Sequence, residues 1–187
     1  IAVTVVERTG VACAASGKSG RFLALDWCDG TPVDPLARAS FALHETLAKG
    51  IARDWGYRRM ETLMLVAREQ GAIAGGHRVP APKWNDGAAV VAGTLGSPET
   101  TAQVHPAQFT TALLEEAKAN GATLRIGVVE RVLVRDSAVS GVAVEGQALD
   151  ADAVVLAAGP WTGRMGGLRL PRVSGLKGYS VTLDAPD

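Results

Sequence analysis

The 187-residue sequence offers little charge or covalent chemistry with which to recruit a partner or staple a fold. Its 19 basic and 19 acidic side chains cancel, so no overall field draws the chain to nucleic acid or to an anionic membrane surface. Two cysteines, Cys13 and Cys28, make no framework of spaced pairs, and a chain this long buries a core without disulfides. A reducing, cytoplasmic compartment is the default expectation. Proline, glycine or charge interrupts every apolar run before it reaches the length of a bilayer span, including those at 88–93 and 154–158. No basic stretch followed by an apolar one opens the sequence, so no signal peptide is expected. His44, His77 and His105 lack the i, i+4 or Cys-x-x-Cys spacing of metal ligands, and no metal site is expected. Internal repeats and low-complexity tracts are also missing.

What the sequence does have is the apolar patterning of a globular protein with one large or two small cores. Residues 1–6 (IAVTVV) read as a buried strand ended by Glu7 and Arg8. Residues 17–30 read as a loop around a short apolar run at 22–25. Asp34 as N-cap and Pro35 in the first turn open a helix whose apolar face is Leu36, Leu43, Leu47 and Ile51, loosening at Gly50. Strands are expected at 62–67 and 88–91, with a Gly- and Pro-rich loop at 71–86. A second helix starts at Pro106, carries Phe109, Leu113 and Ala117 on one face, and stops at Asn120 and Gly121. A strand at 123–126 follows, then two alternating strands at 129–134 and 139–144 joined by a polar turn as an antiparallel meander. Residues 153–157 (AVVLA) read as a continuous apolar strand in a sheet covered on both faces, and 179–183 as a last strand.

Three segments carry chemistry. A hydrophobic strand ending in Glu7 is where a dinucleotide-binding unit places the acid that accepts the adenosine ribose hydroxyls, although a solvated strand end accounts for a lone Glu as well. In Ala15-Ser16-Gly17-Lys18-Ser19-Gly20, small residues let the backbone approach a ligand, and Lys18 is suited to neutralising phosphate. A surface loop is the plain alternative, and a Walker A loop is excluded because the position five residues before Gly17 is Ala12. The third is the strand 153–157 running into Ala158-Gly159-Pro160-Trp161-Thr162: an α/β sheet binds ligands at the carboxyl ends of such strands, and Gly159 keeps that edge open. Read singly, it is also an ordinary tight turn.

In this order and spacing, VTVVER, ASGKSGRFLALDWCDG, VHPAQFTTALLEEAKANGA, VVERV, VVLAAGPWT and GLKGYSV resemble the FAD-dependent oxidoreductases of the D-amino-acid oxidase family, which includes glycine and sarcosine oxidases. The resemblance runs over nearly the whole chain; the first motif, the glycine loop and the AAGPW turn are its specific parts. It implies FAD as cofactor, held by Glu7 and Arg8 at the ribose, by Ser16, Gly17, Lys18, Ser19 and Gly20 along the pyrophosphate and flavin ring, by the Val129 backbone at the adenine, and by Ala158, Gly159 and Trp161 at the strand-to-turn corner. Gly178 and Tyr179 fall in a segment that returns toward the substrate cavity in such enzymes. No catalytic residue is assigned, because the flavin performs the oxidation while the protein orients a small amine or amino-acid substrate.

The departures are as specific as the matches. No Gly-x-Gly-x-x-Gly turn precedes Glu7, and no C-terminal flavin-covering segment follows, so an internal fragment that binds FAD weakly or not at all by itself is expected. The expected architecture is α/β: an incomplete Rossmann-like FAD-binding domain (1–50 and 105–163) interleaved with an antiparallel α+β substrate domain (51–104 and 164–187). Two other readings stay open: a non-catalytic relative serving as a binding or trafficking module, and a NAD(P)-using enzyme that shares the acid-ended strand. Asp26-Trp27-Cys28-Asp29 reads either as a pocket border or as packing. Arg58, Arg59 and Arg68 read either as a fork for a substrate carboxylate or as a solvated strand edge. His105, just before Pro106, reads as a terminal or interdomain contact, and the two thiols carry no sign of activation.

Overall fold

The computed structural model describes residues 1–67, 80–83, 85 and 89–179. Its strands in chain order are β1 (Thr4–Glu7), β2 (Phe22–Ala24), β3 (Arg58–Arg59), β4 (Thr62–Ala67), β5 (Ala89–Gly96), β6 (Thr101–Gln103), β7 (Thr123–Ile126), β8 (Val129–Arg135), β9 (Ala138–Val144) and β10 (Gln147–Asp150). The helices are α1 (Asp34–Gly50) and α2 (Pro106–Ala119), and short 3-10 turns cover Ala15–Gly17 and Gly159–Arg164. By packing, the chain divides into two compact units, one of Ile1–Lys18 with Leu113–Asp187 and one of Ser19–Ala112.

In the first unit, β1 and β7 pair in parallel, Thr4 opposite Thr123 through Glu7 opposite Ile126. The β8, β9 and β10 strands form an antiparallel meander whose core is Val132, Val142, Ala143 and Val144. Both hairpins turn through two residues with positive φ, Asp136 and Ser137 at +50° and +64°, then Glu145 and Gly146 at +51° and +79°. Two left-handed residues in a row match the right-handed twist of the flanking strands, which is why so short a link suffices.

In the second unit, β2 and β3 flank β6, while β4 and β5 form a separate antiparallel pair. Its core is Trp55, Val104 and Ala112, against which Leu23, Leu47, Ala48, Ile51, Tyr57 and Phe109 pack. Phe109 stands edge-on to Trp55 at 5.5 Å and 4.7 Å from the His44 ring, so both helices are fixed on one aromatic cluster.

Several elements differ from the sequence expectation. Residues 153–157 form no strand: Val155 is 90% exposed, and no described strand pairs with them. Apolar composition favours burial, but a strand also needs a neighbour for its N–H and C=O groups, and none is supplied here. The opening strand is confined to Thr4–Glu7 and is not buried, since Val3 and Val5 are exposed and β7 is its strand partner among the described residues.

α1 begins at Asp34 as expected, yet Val33 occupies the cap position without a side-chain bond, and the Asp34 carboxylate instead accepts from Arg38 Nε at 2.7 Å. The expected inward face holds in the second half of α1, where Leu47 and, just past its end, Ile51 pack on the core, but not in the first, where Leu36 and Leu43 are exposed and Phe41 is buried under the Arg59 guanidinium 4.4 Å above its ring. Covering the aromatic removes its large apolar area from water. The strand expected at 88–91 extends to Gly96. Ala88, most of the loop at 71–86, His77, Arg68 and all of the strand at 179–183 except Tyr179 lie outside the described residues; Tyr179 itself is exposed and in no regular element.

Candidate functional site

β1 delivers Glu7 to its carboxyl end, and the register with β7 continues beyond the strand, where Gly127 donates its N–H to the Glu7 carbonyl at 2.9 Å. That bond fixes the backbone of the acid two residues before β8 starts at Val129. The Glu7 side chain is half-buried, and its Oε1 accepts the Thr9 N–H at 3.1 Å. Among the described residues no donor bonds its second oxygen, so the carboxylate is oriented by its own turn with one acceptor left over.

The serine-glycine stretch begins in the 3-10 turn Ala15–Gly17, closed by Gly17 N–H to Ala14 C=O and Lys18 N–H to Ala15 C=O, both 3.1 Å. Gly17 is required for space: a Cβ there would lie 1.9 Å from the Ala12 carbonyl oxygen. Ala12 takes φ +58°, and Arg21 beyond the stretch takes +69°. A non-glycine left-handed residue at each end marks a backbone held by its surroundings. Lys18, Ser19 and Gly20 are exposed.

The corner after 153–157 is a 3-10 turn, Gly159–Arg164, with Trp161 N–H bonded to Ala158 C=O at 3.1 Å. Gly159 has φ +53° with open space where a side chain would stand, so glycine is needed there for its dihedral. The Arg8 guanidinium lies 4.9 Å from the centre of the Trp161 ring and joins this corner to the end of β1.

Of the expected site residues, Glu7, Arg8, Ser16, Gly17, Lys18, Val129, Ala158, Gly159 and Trp161 fall within the first compact unit, and Ser19 and Gly20 open the second. Direct contact is between Arg8 and Trp161. Val129 is half-buried opposite Val144, next to a β-bulge before Arg131. Thr9, which orients Glu7, and Ala12, whose carbonyl abuts Gly17, carry no sequence signal that would single them out. An acid-x-Thr spacing at a strand end is the nearest to one.

The remaining candidates serve packing and structure. Arg59 donates to Glu45 at 2.6 Å and to the Glu99 carbonyl at 3.1 Å, and Arg58 donates to Gln103 at 3.2 Å. Hydrogen-bonded ion pairing with Lys49 and Arg59 holds the Glu45 carboxyl below its ordinary range. Trp27 packs at 5.9 Å from Phe22 and donates Nε1–H to the Leu95 carbonyl at 2.9 Å. His105 Nδ1 accepts the Gln108 N–H at 3.3 Å, which caps the first turn of α2. Burial lowers the pKa of His44. A cavity of about 150 Å3 between β2 and α1, lined by Phe22, Leu23, Ala24, Ala37, Ser40 and Phe41, carries no titratable group. Among the described residues no cluster of three His, Cys, Asp or Glu is placed to hold a metal, and no helix is long and apolar enough to cross a membrane.

An α/β fold with a parallel strand pair beside an antiparallel meander, and strand-end loops built on obligatory glycines, is of the class that supports dinucleotide-dependent oxidoreductases. The chain belongs to the DAO family of FAD dependent oxidoreductases, which it matches over residues 1–187. It is 32% identical over 211 aligned positions to the putative oxidoreductase C1F5.03c of Schizosaccharomyces pombe, covering 98% of this chain and 53% of the relative. Glycine oxidase from Geobacillus kaustophilus shares the fold, with a TM-score of 0.65 at 22% identity over 88% of this chain and 50% of that one. L-amino acid deaminase from Proteus myxofaciens does so with a TM-score of 0.64 at 19% identity, over 86% and 41%. The chain thus spans about half the length of the relatives it matches.

Proposed function

We propose that the chain is the central portion of an oxidoreductase that uses FAD to oxidise a small amine or amino acid. The observation that carries this reading is the contact between Arg8, at the acid-ended strand, and Trp161, at the Ala-Gly-Pro-Trp corner. These two motifs come from opposite ends of the sequence, and an elongated cofactor lying across both is the economical reason for their meeting. The residues present fit such a group: among the described residues Glu7 keeps an acceptor free, Gly17 lets the backbone turn close on itself, and Gly159 presents an open main chain.

On this reading Glu7 holds the adenosine ribose hydroxyls, Arg8 and Trp161 lie beside it, and Val129 meets the adenine through its backbone. Ser16, Gly17, Lys18, Ser19 and Gly20 follow the pyrophosphate and flavin, with Lys18 offsetting phosphate charge, and Ala158 and Gly159 approach through main-chain atoms. When bound, FAD would supply the acceptor for hydride and electrons that none of the side chains provides. The chain's own residues bind and orient. FAD binding is assigned to 1–50 and 105–163, and the substrate side to 51–104 and 164–187. This division by function differs from the division by packing, which keeps α1 with residues 51–112.

The names of the relatives support the substrate class: beside glycine oxidase and L-amino acid deaminase stands a D-amino acid dehydrogenase of Bradyrhizobium diazoefficiens, 39% identical over 83 residues. Two free thiols, Cys13 and Cys28, support a reducing, cytoplasmic setting. The test is to express the chain within its full reading frame and record the visible spectrum. A yellow protein whose flavin absorbance bleaches anaerobically with an amine or amino acid is expected, and a well-folded, colourless protein that takes up no added FAD contradicts the proposal.

A further inference from the structure

Arg8 differs from the other well-placed arginines of this chain. Arg38 and Arg59 are spent on carboxylates, Asp29 and Asp34 for the first and Glu45 for the second. Among the described residues Arg8 has no carboxylate partner, even though Glu7 is its neighbour in sequence, because the Glu7 oxygen turns to the Thr9 N–H. The guanidinium lies instead against the indole of Trp161. Planar, permanently charged and weakly hydrated, it is the side chain best suited to that face.

Among the described residues the Gly159–Arg164 turn has little else holding it at β1. The chain entering it, 153–157, is in no strand and exposes Val155, and Gly159 adds a backbone position free of any Cβ contact. The chain leaving it is anchored elsewhere: Gly166 bridges to Arg131, accepting the Val132 N–H at 2.9 Å and donating to the Glu130 carbonyl at 3.2 Å, which ties the far end to β8.

We infer that Arg8 is a positioning residue: through its stack on Trp161 it fastens the Gly159–Arg164 turn to the end of β1, and so sets the spacing between Glu7 and the open backbone of Ala158 and Gly159. The inference rests on the FAD reading above, and adds that Arg8, beside the ribose, also acts on the corner through the indole. An exposed stack of this kind biases a local equilibrium only a few-fold, so it orders the turn without being needed for folding.

The test compares R8K, R8Q, W161F, W161L and the R8Q/W161L double variant in the full-length protein, by FAD titration and by amide exchange of residues 158–165 in FAD-stripped protein, with circular dichroism to confirm folding. R8Q and W161L are each expected to weaken FAD binding about two- to fivefold and to speed exchange of the turn. The double variant should lose no more than either single one, because both remove the same contact. R8K and W161F, which keep a cation and a ring, should stay near wild type. Wild-type binding and turn exchange in R8Q overturn the positioning role, and additive losses in the double variant overturn its route through the indole. A wild-type protein that takes up no FAD overturns both this inference and the functional reading; binding by wild type that R8Q leaves unchanged overturns this one alone.

Discussion

Two apolar runs of similar composition meet opposite fates in this molecule. Val142, Ala143 and Val144 at the end of β9 are 8%, 3% and 0% exposed, whereas Val155, in the equally apolar run 153–157, is 90% exposed. The first run lies between β8 and β10 and exchanges backbone hydrogen bonds with both; the second has no described strand beside it. Valine-rich sequence makes a strand available, but the partner makes the strand, because a buried N–H or C=O group without one costs more than the side chains recover.

The contrast can be broken most severely at Val144. Val144→Asp places a carboxylate without a counter-charge in the meander core and is expected to destabilise the chain by about 3–5 kcal/mol, enough to abolish a cooperative thermal transition. Gly17→Ala comes next, since its Cβ meets the Ala12 carbonyl at 1.9 Å and the turn must open. A cost of about 1–3 kcal/mol is expected in thermal melts, with FAD uptake by the full-length protein reduced at least as much as stability.

A smaller effect is expected from pH. Burial holds the His44 imidazole below the ordinary 6.5, so the unfolded chain takes its proton more readily than the folded one. The contribution is complete above about pH 7 and is lost as pH falls through 6.5 toward the folded value; denaturant melts of His44→Phe should lack that part of the acid dependence. Least of all, Val155→Asp should change the stability of the 187-residue chain by no more than about 0.5 kcal/mol. Amide exchange sharpens the same comparison, with protection expected at 142–144 and fast exchange at 154–157.

The sequence was legible where local signals suffice. β4 and β7 fall at the expected residues, α2 starts at Pro106 and ends before Gly121 with its φ of +94°, and the 129–144 meander forms around a polar two-residue turn. β10 was missed although Glu145-Gly146 is a two-residue hairpin turn of the same kind. The exposure of Leu36 and Leu43 could not be read from spacing, because they share a helical face with the inward Leu47 and Ile51, and contacts with distant residues such as Arg59 decide which side of the first turns is covered. At the candidate site the residue types that approach a cofactor were readable. Gly17 must be glycine because of a turn conformation that residue types alone do not specify, and Arg8 meets Trp161 through a contact between distant parts of the sequence.

The central claim is that the end of β1, the serine-glycine stretch and the Ala-Gly-Pro-Trp corner serve one bound FAD. Amide exchange of the full-length protein with and without FAD tests it directly. Slowed exchange at 7–9, 16–20 and 158–162 together is the predicted result; slowing at only one of these segments, with the others unaffected, would contradict it.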